Sequence, residues 1–319
     1  MPHSLENKLV VGIASSALFN LSDSDKVFRE QGTEAYREYQ RAHENDTLSP
    51  GVAFPFIKRL LGLNEGTENP PVEVVLMSKN DPDTGLRVDK SIEAHGLGII
   101  RMAFLRGGAP YRYIRAYNVS LFLSADAKDV KDAIMNGLPA GRVLPGDYQD
   151  SEIDKQLRIA FDFDGVIVND EAEQVYQRSG LEQFRSSERE RATEPHTPGL
   201  LAELLRKIAE LQQRELAKAR DDKAYEPLVR IAIITSRDGK AMERMVTTLR
   251  DWNITVDETH MLGGMDKKPV IEVFKPHIFF DDQRIHLDHV ANSAPAVHIP
   301  FGIGNEAAEV VSDDTGTDP

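Results

Sequence analysis

The sequence predicts an α/β fold built from two halves, each with a parallel sheet covered by helices. Short apolar runs alternate with longer helical patterns, and this plan occurs twice along the chain. Strands that alternate with helices form parallel sheets with helices on both faces. Helical patterns include Leu200–Leu211 and Lys240–Leu249. The predicted strands are Val10–Ile13, Val72–Leu76, Leu121–Leu123, Ile159–Phe161, Ile231–Ile234 and Ile278–Phe280.

The chain has 319 residues, which is enough for two domains of ordinary size. We expect a first half at 1–152 and a second half at 153–304, the second with a helical insertion at about 170–228. The remaining stretch, 305–319, is acidic and has few large apolar residues. Such a composition predicts a disordered tail.

The two halves also align with each other, which indicates an internal duplication. The aligned pairs are Ala14–Ala17 with Asp162–Gly165 at an offset of 148, Ser78–Asn80 with Ser236–Asp238 at 158, and Leu121–Ala125 with Ile278–Asp282 at 157. Where the second half offers a carboxylate or an ammonium group, the first has Ala, Ser or Pro; Pro110, for example, aligns with Lys267. The second half is therefore predicted to carry the chemistry, and the degenerate first half to be a scaffold, a cap or a binding half.

Composition excludes several classes of protein. A formal charge of −14 argues against a nucleic-acid groove, which needs clustered Lys and Arg. The sequence has no cysteine, so disulfides and thiolate metal sites are excluded, and a cytoplasmic protein is expected. Leu9–Phe19 is apolar enough for the core of a signal peptide, but the repeat indicates a buried strand there. No apolar run approaches the ~20 residues of a membrane-spanning helix.

Two aspartates follow a predicted buried strand of the second half. Asp162 and Asp164 come directly after Ile159–Phe161. The Asp-x-Asp spacing also occurs twice in the first half, so position and not spacing distinguishes this pair. Loops at the carboxyl ends of parallel strands line the crevice where such sheets bind ligands. A helix N-cap at Asp164 or Asp170 is the structural alternative.

Hydroxyl groups and a lysine follow, one set at the end of the next predicted strand and the other before a helix. Thr235 and Ser236 end the predicted strand Ile231–Ile234, where hydroxyls and free amides can bind a phosphate. Lys267 follows two glycines and precedes a helix, so its ammonium group could offset phosphoryl charge. Lys268 competes for this role.

An acidic pair ends the third strand of the second half. Asp281 and Asp282 follow Ile278–Phe280, where carboxylates require a metal ion or a charged partner. Oxygen ligands without cysteine suit Mg²⁺. His286 and His289 are also near, but an exposed helical turn explains them better.

The ordered set Asp-x-Asp, Thr, Lys and Asp-Asp resembles the haloacid dehalogenase superfamily of phosphohydrolases over about 159–290. Longer motifs are similar to the type I cytosolic 5′-nucleotidase family, over about 8–300. They include Ala17–Asn20, Tyr39–Asn45, Pro50–Pro55, Ser78–Asn80, Gly85–Val88, Ser91–Ala94, Leu121–Ala125 and Pro276–Gln283.

This resemblance implies hydrolysis of nucleoside 5′-monophosphates, AMP-like ones among them, with Mg²⁺ as cofactor. It implies two haloacid dehalogenase-type (Rossmann-like) halves and Asp162 as the nucleophile that forms an aspartyl phosphate. Asp164 would protonate the leaving oxygen and then activate water. Thr235, Ser236 and Lys267 would hold the phosphoryl group. The implied metal ligands are Asp162, Asp164 through its carbonyl, Asp282 and, less firmly, Asp281.

The first half is expected to supply substrate contacts through Asn80, Arg87 or His43, because these polar residues stand in family motifs without catalytic partners. N-caps and surface ion pairs are the alternative reading. Two other functions stay open at this point: the same chemistry on a sugar phosphate or other small phosphomonoester, and a non-catalytic nucleotide-binding regulator. The sequence leaves the preferred base and the oligomeric state open, a homo-oligomer included.

Overall fold

A computed structural model describes residues 4–148, 150–151, 155–302 and 305. The chain divides into two compact units, Met1–Pro145 and Gly146–Pro319. Each unit is a mixed α/β structure with a parallel sheet. Of the predicted tail at 305–319, all residues but Asn305 lie outside the described part of the chain.

Within its described residues, the first unit has five strands that pair in parallel. They are β1 (Leu9–Ile13), β2 (Val72–Ser78), β3 (Arg101–Phe104), β4 (Leu121–Ser124) and β5 (Ala140–Val143). The helices are α1 (Ser15–Leu18), α2 (Ser22–Ala42), α3 (Phe54–Gly62), α4 (Pro82–Ala94) and α5 (Ala127–Met135), with a 3₁₀ turn at Pro110–Tyr113. The strand order is β3-β2-β1-β4-β5, and β1, β2 and β4 are buried along their whole length.

The second unit repeats this plan in the part of it that is described. Its strands are β6 (Leu157–Phe161), β7 (Val229–Thr235), β8 (Glu258–Met261), β9 (Ile278–Asp281) and β10 (Ala296–His298), in the order β8-β7-β6-β9-β10. Its helices are α6 (Glu171–Glu190), α7 (Ala202–Asp221), α8 (Met242–Asp251), α9 (Lys268–Phe274) and α10 (Arg284–Val290), with a 3₁₀ turn at Gly239–Ala241. Among the described helices of the chain, none combines the length and apolarity needed to cross a membrane.

All six predicted strands are confirmed, as β1, β2, β4, β6, β7 and β9. The helical patterns at Leu200–Leu211 and Lys240–Leu249 are confirmed within α7 and around α8. Four strands, β3, β5, β8 and β10, were not predicted. Strands β3 and β8 are edge strands of their units and are half-buried, and Glu258–Met261 of β8 has no apolar run that would predict a strand.

Hydrogen bonds define how the repeats align. Leu9 of β1 pairs with Val72, and Leu157 of β6 pairs with Val229, which sets the offsets at 148 and 157. The Leu105 amide, just after β3, donates to the Ser78 carbonyl at the end of β2. The Leu262 amide, just after β8, donates to the Thr235 carbonyl at the end of β7 in the same way. Ser78 therefore corresponds to Thr235, and the predicted offset of 158 in this segment is wrong by one residue.

Both copies contain a long helix that is interrupted at a glycine. Gly32 in α2 has φ 82° and ψ −171°, and Gly180 in α6 has φ 77° and ψ 179°. Only glycine adopts this region without strain, because it lacks a Cβ atom. The break lets two helical segments change direction within one element, and it recurs 148 residues apart.

Replacing Gly180 by Ala should lower the free energy of unfolding by about 1–3 kcal/mol, because an alanine is strained at this φ and ψ. A Cβ atom at this position would meet no atom within 4 Å, so the effect comes from the backbone alone. Urea denaturation measures the change.

Gly239→Ala is the matched control, since its Cβ would also meet nothing within 4 Å and its φ is not in the left-handed region. We expect a change within about 0.5 kcal/mol there. Equal stability of the two variants would show that the break in α6 does not require glycine.

Candidate active site

The ends of three neighbouring strands meet at one edge of the second unit's sheet. Strand β6 lies between β7 and β9, and all three run parallel. The amide of Asp162, just beyond β6, donates to the Phe280 carbonyl of β9 at 2.8 Å. Thr235 and Asp281 are the last residues of β7 and β9. Asp162, Thr235 and Asp281 therefore lie at the edge where parallel sheets bind ligands.

A buried lysine holds two of these carboxylates. Lys267 has no exposed surface, and its Nζ atom lies 2.7 Å from Asp281 Oδ2 and 3.1 Å from Asp162 Oδ1. Burial lowers the pKa of Lys267, but the two carboxylates outweigh this effect and the pKa is raised. Lys267 is therefore a permanent ammonium group. Lys268, the competing candidate, is half-exposed and lies 3.8 Å from Glu272.

The cluster contains more negative than positive groups. Asp162, Asp281 and Asp282 are all buried, and Lys267 is the cation among them. Burial raises the pKa of Asp162 to about 6; Lys267 opposes this rise, and Asp281 adds to it. Burial, together with Asp281 and Asp162, also raises the pKa of Asp282 well above its ordinary value. For Asp281 burial acts in the same direction, but Lys267 outweighs it and the pKa is lowered.

Two carboxylate oxygens of this cluster accept no hydrogen bond from the described residues: Asp162 Oδ1, which has only its ion pair with Lys267, and Asp282 Oδ1. Asp281 differs, because its Oδ1 accepts the Gln283 amide proton at 2.8 Å and its Oδ2 contacts Lys267. Buried carboxylates without partners are unfavourable unless a cation compensates them. The oxygens present therefore fit a divalent metal ion.

A histidine outside the predicted ligand set also lies at this site. Asp162, Asp281 and His286 each offer one ligand atom within 4.8 Å of the others. The Nδ1 atom of His286 is 3.1 Å from Asp281 Oδ2. His289 is exposed and lies 3.3 Å from Asp266 instead. His286 is thus part of the cluster, whereas His289 belongs to the surface.

Two hydrogen bonds to its carbonyl and a close approach to Gly165 hold Asp282 against the loop after β6. Its carbonyl accepts hydrogen bonds from His298 Nε2 and Asn305 Nδ2, both at 2.9 Å. A Cβ atom at Gly165 would lie 2.6 Å from Asp282 Oδ2, and Gly165 has φ +70°. A glycine is therefore required for the Asp282 carboxylate to approach the Asp-x-Asp loop.

The predicted phosphate-binding hydroxyl is buried at the end of β7. Thr235 Oγ1 accepts the Arg237 amide proton at 3.2 Å, so its own proton remains to be donated. The carbonyl of Ser236 accepts the Gly264 amide proton at 3.1 Å, which holds the loop leading to Lys267 against this turn. The roles of Thr235 and Ser236 in binding phosphate stay predictions.

Asp164 belongs to a charged network that the sequence analysis did not identify. Arg237 donates from Nε to Asp164 Oδ2 at 2.6 Å and from Nη2 to Asp164 Oδ1 at 2.7 Å. Its Nη1 donates to Glu188 of α6, which also accepts from Arg244 at 2.8 Å. His196 lies beside Arg237, with Nε2 3.0 Å from Nη2. A correct offset of 157 would have signalled this network, since it aligns Arg237 with a neutral Asn80.

The three predicted substrate contacts of the first half have partners within their own unit. Asn80 Oδ1 accepts from Tyr36 at 2.8 Å, and His43 stacks on Tyr39 with ring centroids 4.1 Å apart. Arg87 Nε donates to the Asp46 carbonyl at 2.9 Å. None of these contacts is an N-cap or a surface ion pair, and a role of the three residues in binding substrate stays a prediction.

Comparisons with known proteins show the family of the chain. A family model described as 5′-nucleotidase matches residues 1–306. The chain belongs to this family. Human cytosolic 5′-nucleotidase 1B is 33% identical over 294 residues, which make up 90% of this chain and 48% of that protein. The chain thus spans about half the length of this curated 5′-nucleotidase, and the family resemblance expected from the motifs is confirmed.

Among solved structures, histidinol dehydrogenase from Elizabethkingia anophelis aligns with 7% identity and a TM-score of 0.21. The alignment covers 96% of this chain and 87% of that one. A score this low says nothing about the fold of a 5′-nucleotidase. Family membership therefore rests on sequence alone.

Replacing Glu188 by Gln should lower the free energy of unfolding at pH 7 by about 3 kcal/mol. Burial opposes ionisation of Glu188, but the contacts with His196 and Arg237, reinforced by Arg244, lower its pKa from 4.5 to about 2. A lowered folded-state pKa stabilises above the unfolded value, so this contribution is complete above about pH 5 and is lost between pH 4.5 and about 2. Urea denaturation at pH 7 and at about pH 3 measures it.

Glu190→Gln is the control on the same helix, since Glu190 is exposed and contacts only Ser186 among the described residues. That variant should match the parent within about 0.5 kcal/mol. A loss of stability in Glu188→Gln that is the same at both pH values would contradict the stabilising role of the ionised carboxylate.

Proposed function

We propose that the protein is a Mg²⁺-dependent phosphomonoesterase that hydrolyses nucleoside 5′-monophosphates, AMP-like ones included, to nucleoside and phosphate. The observation that carries this proposal is the buried Asp162 carboxylate, held by Lys267 at the end of a central strand, in a chain of the 5′-nucleotidase family. The name of the human relative gives that protein a 5′-nucleotidase activity and a cytosolic location. We extend both to this chain.

The second unit would be the catalytic half, of haloacid dehalogenase type, with α6 and α7 as its helical cap. Support comes from the order of the site along the chain. Asp162 and Asp164 follow β6, Thr235 ends β7, Lys267 precedes α9, and Asp281 ends β9. The first unit has the same strand order without these charged groups, which fits a degenerate copy.

In the first step, a carboxylate oxygen of Asp162 attacks phosphorus and the bond to the ribose 5′-oxygen breaks. Asp164 gives its proton to that oxygen, so the nucleoside leaves as a neutral alcohol. Lys267 and the Thr235 hydroxyl donate to the phosphoryl oxygens as charge develops on them. The Lys267 ammonium is fixed between two carboxylates, so it needs little reorganisation for this task.

In the second step, water attacks the phosphorus of the aspartyl phosphate and the bond to Asp162 breaks. Asp164, now a carboxylate, takes a proton from that water. Arg237 occupies one acceptor site on each Asp164 oxygen, and a carboxylate oxygen has two. Asp164 can therefore accept the proton while its contact with Arg237 persists.

The chain offers Asp162, Asp282 and the Asp164 carbonyl to hold Mg²⁺, which would neutralise phosphoryl charge when bound. We favour Asp282 over Asp281, because Asp282 Oδ1 has no hydrogen-bond partner in the part of the chain that the structure describes, whereas both Asp281 oxygens are engaged. His286 is a weaker candidate, since Mg²⁺ prefers oxygen ligands.

Phosphate release from nucleoside monophosphates and sugar phosphates, with Mg²⁺ or with EDTA, tests the activity. We expect Mg²⁺-dependent release that favours nucleotides and falls at least about 10³-fold in Asp162→Asn, because the amide is a poor nucleophile. Asp221→Asn, at an exposed aspartate ending α7, is the control and should keep parental rates.

Release from sugar phosphates alone would retain the chemistry and overturn the nucleotide assignment. Release from no ester would favour the non-catalytic regulator.

Thermal unfolding with and without Mg²⁺ tests the ligand set independently of activity. Mg²⁺ at about 100 times its dissociation constant should stabilise the parent by about 2.7 kcal/mol. The shift should vanish in Asp282→Asn and persist in His286→Gln. Loss of the shift in His286→Gln, with retention in Asp282→Asn, would replace Asp282 by His286 in the set.

A further inference from the structure

Arg237 forms a bidentate salt bridge with Asp164. Nε and Nη2 donate to different oxygens of the same carboxylate, at 2.6 and 2.7 Å. Paired donors of this kind fix the plane of a carboxylate as well as its position, because the guanidinium group is rigid and flat. The side chain of Asp164 is 18% exposed and that of Arg237 is 2% exposed, so one face of the carboxylate still reaches solvent.

Arg237 is itself immobilised on every side. Glu188 accepts from its Nη1, and the rings of Phe163 and Phe184 lie 5.0 and 5.4 Å from its guanidinium carbon. His196 lies 3.0 Å from Nη2. All three guanidinium nitrogens are thus engaged with the protein. Arg237 therefore acts on Asp164 and is not available as a phosphate ligand.

The first unit shows which parts of this network the fold requires. Arg244 donates to Glu188 and to the Glu194 carbonyl, and Arg87 donates to Gln40 and to the Asp46 carbonyl at equivalent positions. Thr248 Oγ1 accepts the His196 amide proton and donates to the Arg244 carbonyl. Ser91 Oγ accepts the Leu48 amide proton and donates to the Arg87 carbonyl in the same way. These scaffold contacts are therefore also formed in the first unit, where the neutral Gln40 stands at the position of Glu188.

The charges next to Asp164 have no such counterpart. Offsets of 157 and 148 align Arg237 with Asn80 and Asp164 with Ser16. Asn80 binds Tyr36, which corresponds to Phe184, and makes no ion pair. The ionic pair of Arg237 and Glu188 therefore occurs in the copy that has the aspartate and is replaced by neutral residues in the copy that lacks it.

We propose that Arg237, braced by Glu188, is a positioning residue that orients the Asp164 carboxyl group for proton transfer. This inference rests on the proposed function, since it assigns Asp164 its role as acid and base. Arg237 fixes the direction in which Asp164 presents its free lone pairs, and Glu188 fixes Arg237. Neither residue touches the substrate.

The double variant Glu188→Gln/Arg237→Asn tests the proposal. It gives the second unit the neutral pair that the first unit carries, in which Gln40 accepts from the arginine equivalent to Arg244. We expect kcat for AMP to fall about 10- to 100-fold, as for a misplaced catalytic group, while KM changes less than about 2-fold. Arg237→Lys should also lower kcat, because one ammonium group cannot hold both Asp164 oxygens. The loss should be smaller than in the double variant, because the positive charge beside Asp164 is kept.

A second readout separates positioning from general structural damage. In an Asp164→Asn background, followed with p-nitrophenyl phosphate because its leaving group needs no proton, the double change should lower the residual rate less than about 2-fold. Arg185→Gln is the matched control, because Arg185 also links α6 to the loop after β7, through Asp238, without contacting Asp164. It should keep the parental kcat. Melting curves and the Mg²⁺-induced shift in melting temperature verify that each variant folds.

Three results would overturn the inference while leaving the proposed function intact: an unchanged kcat in a folded double variant, a raised KM with kcat retained, or an equally large loss in the Asp164→Asn background. Failure of the parent to hydrolyse any phosphate ester would instead overturn the proposed function, and the inference with it.

Discussion

The site depends on one buried ammonium group that is shared by two carboxylates. Lys267 would be unstable in the interior by itself, and Asp162 and Asp281 would repel each other without it. The sheet order makes this arrangement possible, because β6 lies between β7 and β9 and parallel strands place their carboxyl ends together. The two carboxylates and the lysine are therefore stable only as a set. Loss of Lys267 would leave two buried carboxylates without their cation, whereas loss of one carboxylate would leave a neutral ion pair.

Internal duplication separates what the fold needs from what the chemistry needs. Both copies keep the broken helix, an arginine that donates to a loop carbonyl, and the hydroxyl that anchors that loop. The first copy folds with Ala14, Ser124 and Ala125 at positions where the second has Asp162, Asp281 and Asp282. An α/β unit of this type thus needs no carboxylate at these three positions. The charges in the second unit are best explained by binding and catalysis.

Sequence reasoning succeeded where burial imposes a simple pattern. The central strands are continuous apolar runs, and Asp162, Thr235 and Asp281 could be placed because each ends such a run. It failed at the edge strand β8, whose half-buried Glu258–Met261 has no apolar run. The Arg237 network was missed because a one-residue error in the offset paired Arg237 with Lys79, another cation. Only the hydrogen-bond register of the strands fixes that alignment, and no composition rule contains it.

The four carboxylates of the site are compensated in different ways, and the difference matches their proposed roles. Asp164 receives a permanent cation from the chain itself, through Arg237, so its position does not depend on a bound ion. Asp281 is satisfied by Lys267 and the Gln283 amide. Asp162 shares Lys267, and Asp282 Oδ1 has no partner among the described residues. The remaining negative charge is thus concentrated on the proposed nucleophile and one neighbour, where a divalent cation would act on the phosphoryl group, while Arg237 holds the proposed acid and base, Asp164.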